Sequence, residues 1–156
     1  MVDGGAVSQL RRLGMVASVQ PAFDAAWGGP SGMYAERLGL ERAEATNPFA
    51  DLVDGDVPLA LGSDAPVTPL DPWGGVYAAV DHTTPGSGLR PFDAFDAATH
   101  GGWVAVRGEH PAGPLAVGAR ADLALWESTA TLAQLLAART RPACRQLLVA
   151  GEVVPA

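Results

Sequence analysis

The segment Leu61-Gly62-Ser63-Asp64-Ala65-Pro66 sets one carboxylate just after an apolar run. That run, Val57-Pro-Leu-Ala-Leu61, reads as a buried strand, so Asp64 stands at a strand's C-terminal end before a proline-rich loop. In parallel α/β architectures polar groups at that end face the ligand-binding mouth. A carboxylate there can border a metal and take a proton from metal-bound water. Aspartate also caps turns by accepting from nearby backbone N–H groups, and the local pattern leaves both readings open.

Other candidate groups are scattered. His82 is expected at a helix end, His100 beside Gly101-Gly102, and His110 in a Gly/Pro-rich link; none is paired at ligand-like spacing. Helix-end histidines commonly cap carbonyls. Catalytic zinc normally takes three protein ligands, so Asp64 alone cannot hold it. Ser18 and Ser63 have no nearby His–Asp arrangement, which speaks against serine-hydrolase chemistry. Trp27, Trp73, Trp103 and Trp126 read mainly as core. Of these Trp73, just beyond Asp64, is the one expected to touch a substrate. Asp122 reads as a turn stabiliser and Cys144 as an inert residue.

The elements that would position Asp64 follow from periodicity. Ala6 to Leu13 has helical spacing and Gly14 closes it. Met15 to Val19 reads as a buried strand ended by Gln20-Pro21. Residues 21–48 read as a long irregular loop, with at most a short helix near Tyr34–Leu40. A helix over Pro48–Asp54 is expected with Asn47 as its cap. After the Val57 strand, Asp71-Pro72 opens a helix reaching about His82. Another starts at Pro91 and should carry Phe92, Phe95 and Trp103 inward. Beyond Gly113 the texture turns to short strands, at Leu115–Gly118 and Ala121–Trp126. A helix over Thr131–Ala138 follows, then a hairpin over Leu147–Val154 turning at Ala150-Gly151. The alternation of strand and helix over residues 1–112, then β-rich pieces over 113–156, suggests an α/β class. It would be part of a parallel barrel followed by a β appendage.

Composition narrows the function classes. The chain has 156 residues, 48% of them apolar, enough for a real core. A net charge of −7, with ten basic residues that are all Arg and dispersed, argues against nucleic acid as a partner. The absence of lysine excludes a Schiff-base or phosphate-loop lysine. A single cysteine forbids an internal disulfide and fits a cytoplasmic setting. No apolar run approaches the roughly 20 residues that span a bilayer.

Gly62-Ser63-Asp64-Ala65-Pro66-Val67, followed by Asp71-Pro72-Trp73, resembles the eighth-strand segment of the YtcJ-like branch (family 3) of the metal-dependent amidohydrolase superfamily. Leu13 to Pro21 resembles its seventh strand. Phe92 to Thr99 with Gly101-Gly102-Trp103 resembles the helix after strand eight. Gly113-Pro-Leu-Ala-Val-Gly118-Ala-Arg-Ala121-Asp122-Leu123 resembles the entry to its small β domain, and Leu148 to Val153 the close of that domain. The resemblance implies the C-terminal part of a (β/α)8 TIM barrel, about strands seven and eight, then a β-rich composite domain. It implies hydrolysis of non-peptide amide, other carbon–nitrogen or ester bonds of a small molecule by metal-activated water. The cofactor would be a divalent ion, zinc first. By position Asp64 would border the metal, deprotonate the water and pass the proton to the leaving group, and Gln20 would contact substrate at the same mouth.

The departure from the family is equally informative. Its His-x-His pair, its acidic or carbamylated-lysine ligand and its single strand-end histidines have no counterpart here. The expectation is a chain that starts past the histidine ligands and is inactive alone. The competing expectations are a non-catalytic assembly module or one half of a split enzyme. Either would pair through open barrel edges with a second copy or a complementing chain.

Overall fold

In the computed structural model, which describes residues 4–106, 115 and 117–155, a two-stranded parallel sheet is followed by a three-stranded antiparallel one. The first part opens with helix α1 (Gly4–Arg12), which ends at Gly14 with φ 62°, the left-handed conformation that suits glycine after a helix. Strand β1 (Ala17–Val19) pairs with β2 (Leu59–Leu61) in parallel, Ala17 opposite Leu59 and Val19 opposite Leu61. The two segments read as strands therefore lie side by side in one direction.

Parallel neighbours need a crossover, and residues 20–58 supply it. They form helices α2 (Pro21–Trp27), α3 (Met33–Leu38) and α4 (Leu40–Glu44), where residues 21–48 were expected to be a long irregular loop with at most a short helix near Tyr34–Leu40, and then α5 (Phe49–Asp54), close to the helix expected over Pro48–Asp54. The glycines that suggested a loop fall between the helices, at Gly28, Gly32 and Gly39. Aromatic contacts then hold the short helices together: Phe23 to Trp27 at 4.8 Å between ring centroids, and Trp27 to Tyr34 at 6.4 Å. Asn47 does not cap α5. Its backbone is left-handed at φ 53°, Pro48 takes the cap position, and the Asn47 carbonyl accepts from Phe49 N–H at 2.8 Å.

Beyond β2 come α6 (Pro72–Val80), α7 (Pro91–Thr99) and α8 (Gly101–Val106). Asp71 caps α6 as expected, its Oδ1 accepting from Gly74 N–H at 2.8 Å with Pro72 in the first turn. Helix α8 begins flush against β2, since a Cβ on Gly101 would collide with the Leu59 carbonyl. Phe92 is 57% exposed, not inward. Helix α7 buries Ala94 and Ala97, and a residue two before Ala94 falls on the far side of a 3.6-residue turn. Phe95 does pack on the core, while Trp103 is half-buried beneath the Arg120 guanidinium at 5.8 Å.

The last part comprises β3 (Leu123–Trp126), α9 (Leu132–Ala138), β4 (Cys144–Val149) and β5 (Glu152–Val154), with sheet order β3-β4-β5. Thr131 and Gln134 close a reciprocal capping box on α9. Ala150 and Gly151, at φ 53° and 85°, make the two-residue hairpin turn, both left-handed as that turn demands. The expected strand at Leu115–Gly118 lies partly outside the described residues, and Val117 to Ala119 form a turn. The expected boundary at residues 112–113 also lies outside them.

One core serves both parts. Phe49, Leu52, Val57, Leu59, Val76 and Ala79 pack with Leu135 and Leu136 of α9. Trp73 meets Trp126 edge-on at 5.6 Å. The Tyr77 hydroxyl donates to the Leu135 carbonyl at 3.2 Å and also meets the Thr140 carbonyl. Among the described residues no helix is long and apolar enough to cross a membrane. Because Leu136 is 1% exposed within this shared core, Leu136→Ala should destabilise the chain by about 2–5 kcal/mol. Urea unfolding followed by tryptophan fluorescence and by far-ultraviolet dichroism should shift together in one transition; separate transitions would show that the two parts do not share a core.

Candidate functional site

The parallel register sends both strands out of the sheet at the same end. There β1 leads into Gln20 and α2, and β2 leads into Gly62, Ser63 and Asp64. Gly62 N–H donates to the Val19 carbonyl at 2.9 Å, holding the two exits together for one residue more. Between them lies a cleft of about 320 Å³ lined by Ala22, Leu61, Gly62, Ser63, Pro69, Leu70, Asp71, Pro72, Gly75 and Ala98. Its walls are the first turns of α2 and α6, the outgoing strand β2 and helix α7.

Asp64 follows directly on the cleft-lining Gly62 and Ser63 without lining the cleft itself, and it is exposed. Its backbone is left-handed at φ 53°, and its carbonyl accepts from Val67 N–H at 2.9 Å. The turn is capped by its neighbour instead: Ser63 Oγ accepts from Ala65 N–H at 3.2 Å, and Thr68 Oγ1 donates to the Ser63 carbonyl. The Asp64 carboxylate has no hydrogen-bond or ion-pair partner among the described residues. Turn capping, one of the two roles open to it in the sequence, is thus filled by Ser63.

Gln20 sits at the N-terminus of α2, half-buried, and makes no side-chain cap; its carbonyl accepts from Phe23 N–H at 3.0 Å. It leaves the sheet at the same end as Asp64, since Val19 and Leu61 are register partners. Trp73 does not line the cleft. It is 5% exposed, with Tyr77, Phe95 and Trp126 around its ring at 5.6–6.0 Å, and its Nε1–H has no partner among the described residues. The second residue of α6 turns inward, so the indole builds core where a substrate contact was expected.

Sequence reading missed a buried polar clamp beside the cleft. Asp24, 2% exposed on α2, accepts from Thr83 N–H at 2.8 Å and Thr83 Oγ1–H at 2.9 Å. His82 is buried next to it. Its Nδ1 accepts from Thr84 N–H at 2.9 Å, so Nε2 carries the proton and donates to the Asn47 carbonyl at 3.0 Å, with Asp24 Oδ1 at 3.5 Å. The clamp ties α2 to the segment leaving α6, so both helices flanking the cleft are held from behind. Only the placement of an aspartate four residues after Gln20 could have hinted at it. Asp24 also adds to burial in raising the Tyr34 phenol above its ordinary pKa, burial being the larger cause.

Asp71 is fully committed at the cleft's edge. One oxygen caps α6, and the other takes Arg141 Nη1 at 2.5 Å. Asp81, at the other end of α6, receives Arg139 through a two-pronged contact of 2.8 and 2.6 Å. The Arg139 hydrogen bonds hold its carboxyl below the ordinary aspartate range.

The sequence matches the amidohydrolase family over residues 1–155. The chain belongs to that family, in the YtcJ-like branch of the superfamily. No curated protein matches it. In solved structures it is similar to a crystal structure of an uncharacterised protein, with a TM-score of 0.63 and 19% identity; the likeness covers 97% of this chain and 38% of that one. At that identity the similarity supports the fold. The chain spans well under half the length of the solved protein.

The amidohydrolase chain should carry an acid-sensitive strut at Asp81. Its folded pKa is depressed, so its stabilisation is present above the ordinary carboxylate value of about 4 and fades as pH falls through the folded value. Asp81→Asn should therefore flatten the loss of stability below about pH 4, seen in urea midpoints against pH. An unchanged slope would show that the pair contributes nothing, as for many exposed pairs.

Proposed function

We propose that this chain is the strand-seven and strand-eight portion of a (β/α)8 barrel hydrolase with part of its composite β domain. The cytoplasmic enzyme would cleave non-peptide amide, related carbon–nitrogen or ester bonds of a small molecule. The observation that carries the reading is the uncommitted Asp64 carboxylate beside a cleft at the C-terminal ends of two parallel strands. A base must be able to accept a proton, and a carboxylate already bonded on both oxygens, as Asp71 is, cannot serve.

The family implies a divalent ion, zinc first. The residues present do not fit one. Among the described residues no three His, Cys, Asp or Glu side chains come together to hold an ion, and catalytic zinc takes about three protein ligands. Within this chain, the chemistry that can be assigned is Asp64's. Its carboxylate takes a proton from the attacking water as that water adds to the substrate carbon, then returns it to the departing nitrogen or oxygen. Gln20, leaving the sheet at the same end, would orient the substrate. The ligands would come from outside the described residues, or from a complementing chain docked on the outer edges of β1 and β2. Among the described residues those edges carry no further strand.

Two measurements test this. The purified chain, loaded with zinc and dialysed, should retain well under one ion per chain and should not turn over aryl amides or esters; stoichiometric zinc with turnover would overturn the reading. In an assembled enzyme with the ligands supplied, Asp64→Asn should lower kcat by about 10²–10⁴-fold with the fold intact by circular dichroism. Retained turnover would remove Asp64 from the chemistry.

A further inference from the structure

Two glycines line the cleft with no structural need to be glycine. Gly75 lies inside α6, where backbone entropy disfavours glycine relative to alanine. Its N–H donates to the Asp71 carbonyl at 2.9 Å in ordinary helical fashion, its φ is not positive, and a Cβ built on it meets nothing within 4 Å. The neighbouring Gly74 is different, because a Cβ there would collide with the Asp71 carboxylate. Gly62, the residue that follows β2, likewise has open space at its Cβ position and no positive φ. Two residues that line the cleft thus each lack a side chain and have open space at the Cβ position. The remaining lining is largely apolar, with Leu70 81% exposed at its edge, and the one carboxylate there, Asp71, is already engaged by Gly74 and Arg141.

We propose that Gly75 and Gly62 reserve volume for an apolar substituent, aryl or branched alkyl, of a small amide or ester. Gly75 then sets how large that substituent can be. This rests on the reading of the cleft as the substrate site. Affinity comes from apolar contact along Leu61, Leu70 and Ala98, and the scissile group is left toward the Ser63–Asp64 side. A side chain at 75 would strengthen the helix and fill the space the ligand needs, so stability and binding move in opposite directions.

The test uses the full chain with acetanilide as an aryl amide probe and acetamide as its truncated control, followed by amide-resonance titration and thermal melting. Acetanilide should shift Gly62, Ser63, Leu70 and Gly75 saturably, while acetamide should not. Gly75→Ala should raise Tm by about 2–4 °C and weaken acetanilide binding. Gly75→Leu should weaken it at least about tenfold. Gly102→Ala, at a glycine in α8 that also has open space but lies outside the cleft, should leave binding unchanged. Acetanilide binding that ignores both Gly75 variants, a fall in Tm for Gly75→Ala, or equal binding of acetamide would overturn the proposal and leave the family chemistry standing. An absence of acetanilide shifts at the cleft would overturn it together with the reading of the cleft as substrate site. The separate dependence of turnover on Asp64 decides whether the catalytic part of that reading survives.

Discussion

The parallel register of β1 and β2 is the constraint from which the rest of the molecule follows. Two strands running the same way cannot be joined by a turn, so the chain between them must travel back along the sheet, and it does so as a series of short helices. The same register fixes which residues emerge together. With Val19 opposite Leu61, the residues after each strand open at one end of the sheet, and a cleft forms between the helices that those exits begin. A slip of one residue would turn Leu59 and Leu61 to the other face of the sheet and break up both the core and the cleft wall.

What holds this small sheet is packing shared with the antiparallel part. A two-stranded sheet of three-residue strands is too small to be stable alone. Its helices are fixed instead by a core that includes Leu135, Leu136 and Trp126 from beyond residue 122. Two arginine contacts reach the same helix, Arg139 at the end of α6 and Arg141 at its start, so α6 is gripped at both ends by the later segment. Exposed pairs of this kind contribute little energy individually. Their value here is geometric, because α6 forms one wall of the cleft.

Much of the scaffold was legible in the sequence because local chemistry dictated it. Asp71 before Pro72 and Ala150-Gly151 between two apolar runs each specify a cap or turn with a mechanism. The segment from Pro21 to Pro48 was not legible, since its helices are one to two turns long and owe their existence to contacts among Phe23, Trp27 and Tyr34 that no periodicity announces. The same applies to Asp24, whose partners lie nearly sixty residues away. Trp73 went astray for a related reason: closeness to Asp64 in the chain says nothing about which side of α6 the indole takes. The position of Asp64 itself was legible, but its freedom from partners was not, because any aspartate before a proline could equally have capped the turn that Ser63 caps.

That freedom distinguishes Asp64 from the carboxylates that build the fold. Asp24 is satisfied by Thr83, Asp71 by Gly74 and Arg141, Asp81 by Arg139, and Asp122 by Ala150 N–H and Arg120. Each holds two distant segments together, with both carboxylate oxygens engaged. Asp64 stands instead on a left-handed backbone, directly beyond residues that line the cleft. Left-handed backbone at a non-glycine residue persists where the surroundings impose it, and here the Ser63 turn and the Thr68 contact do so. Among the described residues, the fold thus leaves the Asp64 carboxylate unpaired next to residues that line the cleft.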